Sequence, residues 1–126
     1  QNEYPMVSYV KRDLYNTGFP KEYFNYVVLG EVIEHLEDPK AAVEEAMRIL
    51  KPGGILALST PLNEAIEFGA VDGIHHLWSF EMKDVKNLLR EYGKVKVTII
   101  GSTYFPKYKY NFPVTIAWCK KYDKIL

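Results

Sequence analysis

The chain predicts an α/β fold with buried parallel strands, and three observations carry that prediction. Two short apolar runs, residues 24–30 and 55–59, have the length and character of buried parallel strands. Between them Ala42, Val43, Ala46, Met47 and Leu50 recur at helical spacing, which predicts a helix with one buried face. Pro52-Gly53-Gly54 then stops that helix and turns the chain into the second strand.

The elements follow in order. Residues 7–13, VSYVKRD, alternate apolar and polar side chains and predict a strand ending in an acid. Residues 15–23 predict a loop, with Asn16, Thr17, Gly18 and Pro20 as turn formers. After the strand at 26–30, Asp38 can cap a helix with Pro39 at its first position, where a missing amide costs nothing. Residues 61–76 form a long connection carrying Asn63, Glu64, Glu67, Asp72, His75 and His76. Connections of that length are commonly functional. Ser79 is positioned to cap a further helix with the stripe Val85, Leu88, Leu89 and Tyr92, and Gly93 to end it in a left-handed conformation. Residues 94–100 predict a strand with Val95, Val97 and Ile99 on one face, and residues 114–119 the last strand. The linker at 102–113 is aromatic-rich and too long for a tight hairpin.

Composition narrows the class. The 126 residues are 48% hydrophobic and 25% charged, as in ordinary globular domains. Sixteen basic and 16 acidic residues cancel, so no overall field draws the chain to nucleic acid or an anionic membrane. The single Cys119 excludes an internal disulfide and a cysteine zinc site, and fits a reducing compartment. No apolar run approaches the ~20 residues of a membrane span. The expectation is one cytoplasmic domain, or part of one, over residues 1–126.

Past the first buried strand the chain reads Glu31-Val32-Ile33-Glu34-His35, which sets ionisable groups just beyond a strand's carboxyl end, where open α/β sheets bind ligands. The whole of residues 24–61, with this E-V-x-E-H-x-x-D-P turn and the later L-K-P-G-G, resembles the second half of a class I S-adenosylmethionine-dependent methyltransferase. That resemblance implies an incomplete Rossmann-like fold. Residues 7–13 would be the family's strand 3, with strands 4, 5, 6 and 7 at 26–30, 55–59, 95–100 and 114–119. The last strand would be antiparallel and the family order 3-2-1-4-5-7-6. The family's glycine-rich cofactor turn is not found among the eight glycines, none of which forms a G-x-G pair. The chain therefore reads as the carboxyl-terminal part of a methyltransferase, with strand 4 as an open edge. An open edge invites self-association, with a two-fold dimer the simplest form, or the insertion of residues 7–13 beside it.

The resemblance also implies roles. S-adenosylmethionine is the implied cofactor and a small molecule the implied acceptor. Asp13 and Leu14 would meet the adenine, and Leu29, Gly30 and Glu31 the methionine part. Glu31, His75 and His76 are the candidate catalytic residues, since histidine titrates near neutral pH and a carboxylate at a strand end can face a cation. No metal is expected. The alternative is a divalent ion at Glu31, Glu34, His35 and His76, because small-RNA 3′-end methyltransferases look similar at these positions and at the spacing from His76 to Phe80-Glu81. In many metal-free members the histidine fixes the turn by hydrogen bonding instead. Another reading, from the missing glycine-rich turn, is a non-catalytic interaction module with a methyltransferase-like half-fold. The aromatic and basic residues at 104–112 read as packing against the last strand pair more than as a nucleic-acid platform.

Overall fold

A computed structural model describes residues 6–62, 77–105 and 110–123. In chain order these form strand β1 (Phe24–Gly30), helix α1 (Pro39–Ile49), strand β2 (Leu50–Pro61), helix α2 (Met82–Leu89), and strands β3 (Gly93–Phe105) and β4 (Tyr110–Lys121). One four-stranded sheet has the order β1-β2-β4-β3. β1 and β2 are parallel, with Val27 opposite Leu56 and Leu29 opposite Leu58. β4 runs antiparallel to both β2 and β3. This is the order expected for strands 4, 5, 7 and 6, with strand 7 antiparallel, so the Rossmann-like arrangement of these four strands stands.

Both helices cover one face of this sheet. Leu29, Leu56, Leu58, Ala117 and Cys119 from the strands pack there with Val43, Ala46 and Met47 of α1 and Val85 and Leu89 of α2. Asp38 caps α1 as expected, its Oδ1 accepting from the Ala41 amide at 3.0 Å with Pro39 at the first turn. The other end of α1 is closed by two separate pieces of chain. The Lys121 ammonium donates to the carbonyls of Met47 and Leu50, at 2.6 and 2.7 Å. The amides of Glu22 and Tyr23 donate to the carbonyls of Arg48 and Ile49. A helix end leaves its last carbonyls without intrahelical partners, and here other elements supply them.

Four expectations are corrected. Residues 7–12 form no strand. The one ladder-type contact of this segment among the described residues is the bridge from Asp13 to Asn16. Its alternation is real but buries nothing, because a strand needs a neighbour to pair with and, among the described residues, β1 pairs with β2 alone. Residues 7–13 therefore do not move in beside β1. The cap of α2 is not Ser79 but Glu81, in a reciprocal capping box with Asp84. Gly93 does not end the helix in a left-handed conformation; it opens β3, and a Cβ there would lie 2.0 Å from the Lys120 carbonyl oxygen of β4. Finally, the 102–113 linker is mostly strand: β3 and β4 stay paired out to Phe105 opposite Tyr110.

The Lys-Pro-Gly-Gly segment belongs to β2 rather than to a separate loop. Phe24 pairs with Leu50 and Tyr26 with Ile55, so residues 51–54 bulge out opposite Asn25. Gly53 takes φ 77° within that bulge, a conformation glycine adopts without cost.

Candidate functional site

The carboxyl ends of β1 and β2 lie side by side, with Gly30 opposite Ser59. The chain leaves β1 through Glu31 at φ 53°, an uncommon left-handed conformation for a residue with a side chain. The Glu31 amide donates to both the carbonyl and the hydroxyl oxygen of Ser59, at 3.0 and 3.1 Å. The Ser59 hydroxyl in turn donates to Glu31 Oε2 at 3.1 Å. Glu31 and Gly30 are exposed and Leu29 is buried beneath them.

A single 3-10 turn, Ile33–His35, follows. It buries Ile33 and Glu34 and leaves His35 exposed. The turn is anchored from outside. The Glu34 carbonyl accepts from the amides of Leu77 and Trp78, and the Trp78 indole Nε1 donates to the Leu36 carbonyl at 2.6 Å. Phe80 then pairs with Leu62, just past the end of β2. Sequence adjacency had grouped Glu31, Glu34 and His35. The fold separates them into an exposed carboxylate at the strand end, a buried one and an exposed imidazole. Among the described residues no group of three His, Cys, Asp or Glu side chains is arranged to hold a metal ion. His75 and His76 lie outside the described residues.

Asp13 closes a tight turn, with Oδ1 accepting from the Tyr15 amide at 2.9 Å and its carbonyl from the Asn16 amide. Leu14 packs half-buried against the core. The Tyr15 hydroxyl accepts from the Asp38 amide at 3.2 Å, which brings the Asp13 turn alongside the loop that follows β1. Behind it Glu45 of α1 is 7% exposed and takes four contacts. The amide and hydroxyl of Thr17 donate to its Oε2, and Arg48 donates to both oxygens. The Arg48 guanidinium, outweighing burial and aided by Thr17, holds the Glu45 carboxyl well below its ordinary range, at about 2. Arg48 also donates to the Phe19 carbonyl, so this network fixes the loop carrying Asp13 onto α1.

Three contributors escaped the sequence reading: Ser59, Tyr15 and the Glu45–Arg48 pair. Ser59 read as a strand residue; the one available signal was that parallel strands end together, so the last polar residue of β2 must adjoin the first residue after β1. A hollow of about 440 Å³ lies elsewhere, lined by Lys40, Trp78, Phe80, Asp84, Asn87 and Glu91 among others, and includes none of the strand-end residues.

The methyltransferase domain model matches residues 1–58. A probable S-adenosylmethionine-dependent methyltransferase of Mycobacterium tuberculosis is 29% identical over 109 residues, 85% of this chain and 40% of that protein. The chain is related to the class I S-adenosylmethionine-dependent methyltransferases. This methyltransferase relative spans about two-fifths of the length of that curated protein. Among solved structures, a SAM-dependent methyltransferase from Archaeoglobus fulgidus matches with a TM-score of 0.70 at 14% identity, over 89% of this chain and 66% of that one. A cyclase matches nearly as well, with a TM-score of 0.66 at 15% identity over 89% and 56% of the two chains. At such identities the likeness establishes the fold alone.

Proposed function

We propose that residues 1–126 are the carboxyl-terminal portion of a single methyltransferase domain that carries a methyl group from S-adenosylmethionine to a small-molecule acceptor in the cytoplasm. The observation that carries this reading is the E-V-x-E-H turn standing at the carboxyl end of β1 in a sheet of order β1-β2-β4-β3. The cofactor supplies an already activated methyl group, so the protein's work is to bind, orient and exclude water.

The residues present fit that ligand. Gly30 is exposed and a Cβ added to it would meet nothing nearer than the Ser59 hydroxyl at 3.9 Å, so a ligand can pass close to the backbone there. Glu31 keeps Oε1 without a hydrogen bond among the described residues, as an acceptor for a cationic group. Asp13 keeps Oδ2 in the same condition, as an acceptor for an exocyclic amine, with Leu14 beside it. In this reading Leu29, Gly30 and Glu31 hold the methionine part and Asp13 and Leu14 the adenine. His75 and His76 serve the acceptor as base or contact. The rest of the domain, or a second copy of the chain, pairs with the open edge of β1. Among the described residues no helix is long and apolar enough to cross a membrane.

Calorimetric titration of the full gene product with S-adenosylhomocysteine tests the reading, and no binding at millimolar ligand ends it. The 126-residue chain alone is expected to bind far more weakly. It lacks the glycine-rich turn, and losing two charge-assisted hydrogen bonds at ~1.5 to 3 kcal/mol each weakens affinity a hundredfold or more. A low-micromolar dissociation constant for this chain alone would contradict the assignment of only part of the site to it.

A further inference from the structure

Ser59 does more than continue β2. Its hydroxyl accepts from the Glu31 amide and donates to Glu31 Oε2, both at 3.1 Å, so one side chain grips both the backbone and the carboxylate of the same residue. Glu31 sits in the left-handed region, where a Cβ is crowded against the following carbonyl. A turn that only had to redirect the chain would be better served by glycine, as at Gly53. Glu22 also lies in that region, at φ 56°, so what singles out Glu31 is its place at the carboxyl end of β1, where open α/β sheets bind ligands, together with its tied-down carboxylate.

The direction of the grip is also informative. Leu56, Leu58 and Thr60 of β2 are buried, Leu56 and Leu58 in the core beneath the helices, and strand alternation puts Ile55, Ala57 and Ser59 on the opposite face. The Ser59 hydroxyl therefore draws Glu31 Oε2 toward the sheet face away from α1 and α2. Oε1 is left for a ligand arriving on that side.

We propose that Ser59 is a positioning residue: it locks Glu31 in its left-handed conformation and aims the carboxylate at a cationic group of the ligand, an ammonium or sulfonium, on the sheet face opposite the helices. This rests on the reading of Glu31 as a ligand-binding carboxylate.

Two measurements on the isotopically labelled full gene product test it by NMR. Without ligand, the three-bond amide–Hα coupling and the chemical shifts of residue 31 report its φ. Ser59→Ala is expected to release Glu31 to an extended conformation, and Ser59→Thr, which restores a hydroxyl, to retain the left-handed one. With S-adenosylhomocysteine as probe, whose ammonium can meet Glu31, Glu31→Ala and Ser59→Ala are each expected to weaken binding about tenfold, the scale of one charge-assisted hydrogen bond. The double variant should bind no more weakly than Glu31→Ala alone, because Ser59 acts only through Glu31. Ser59→Thr should bind within about twofold of the parent. A left-handed Glu31 retained in Ser59→Ala overturns the inference, whatever the affinity. So does parental affinity in Ser59→Ala when Glu31→Ala has lost it. Parental affinity in Glu31→Ala instead ends the ligand-binding role of Glu31, which is the separate reading above.

Discussion

β1 and β2 are near-equals in sequence and opposites in environment. Both are short apolar parallel runs, YVVLG and ILALS, and both were expected to be buried on two faces. β2 has a neighbour on each side, and Leu56, Ala57 and Leu58 are all buried. Among the described residues β1 has one neighbour, and of its own residues only Leu29 is fully buried, while Tyr26 and Val28 are each 71% exposed. The difference teaches that an apolar run records what a strand is built to lie against, whereas its burial records what actually flanks it.

Substitution should reproduce that difference. Leu58→Ala is expected to cost about 2 to 5 kcal/mol, as truncations in a packed core do. Val28→Ala should cost less than ~0.5 kcal/mol, as at exposed sites. Urea titration of both variants sharpens the comparison, and equal losses would break it by showing that something covers β1 in solution.

The loop leading into β1 gives the next effect, since it is held by α1 rather than by the sheet. Glu45→Gln should cost about 1.5 to 3 kcal/mol at neutral pH, the range for hydrogen bonds to a charged group. The sign with pH follows from a folded carboxyl at about 2 against an ordinary 4.5. Its contribution is complete above pH 4.5 and fades as pH falls from 4.5 toward 2. The parent and Glu45→Gln should therefore converge in stability across that window, while parallel curves would show that the Glu45 carboxylate is not what the loop depends on.

The smallest effect on stability should come with the largest on assembly. Val28→Lys places a charge on the exposed edge strand, as natural edges often do. Thermal unfolding should shift by no more than ~0.5 kcal/mol. Any sedimentation signal of a dimer in the parent chain should disappear. A parent that is monomeric at high concentration removes the second copy as the partner of β1.

The first helix was legible because its signals are local, and the sheet order because residues 24–61 resemble a known family. Asp38-Pro39 marks a helix start, and the stripe from Ala42 to Leu50 needs only one buried face. The segment at residues 7–13 was misread because alternation says a strand is possible, not that a ladder partner is present. Gly93 was misread for a related reason. Its helix-end position suggested a left-handed residue, but the constraint is the Lys120 backbone, 27 residues further along, which no local pattern reports. At the candidate site, Glu31 and Gly30 could be found from the turn motif. Tyr15 and Glu45 could not, and Ser59 only from the shared ending of two parallel strands, because their partners lie between 23 and 28 residues away in the chain.

The Lys121 ammonium carries a consequence in time. It closes α1 from the far end of β4, 74 residues beyond Met47. At synthesis rates of about 5 to 20 residues per second, that lysine is made roughly 4 to 15 seconds after the helix it completes. For that interval the amphipathic stripe of α1 has neither its last cap nor Ala117 and Cys119 of β4, which share its core cluster. Folding dominated by such distant contacts is slow, so the nascent segment from β1 to β2 is the stretch a ribosome-associated chaperone would be expected to hold.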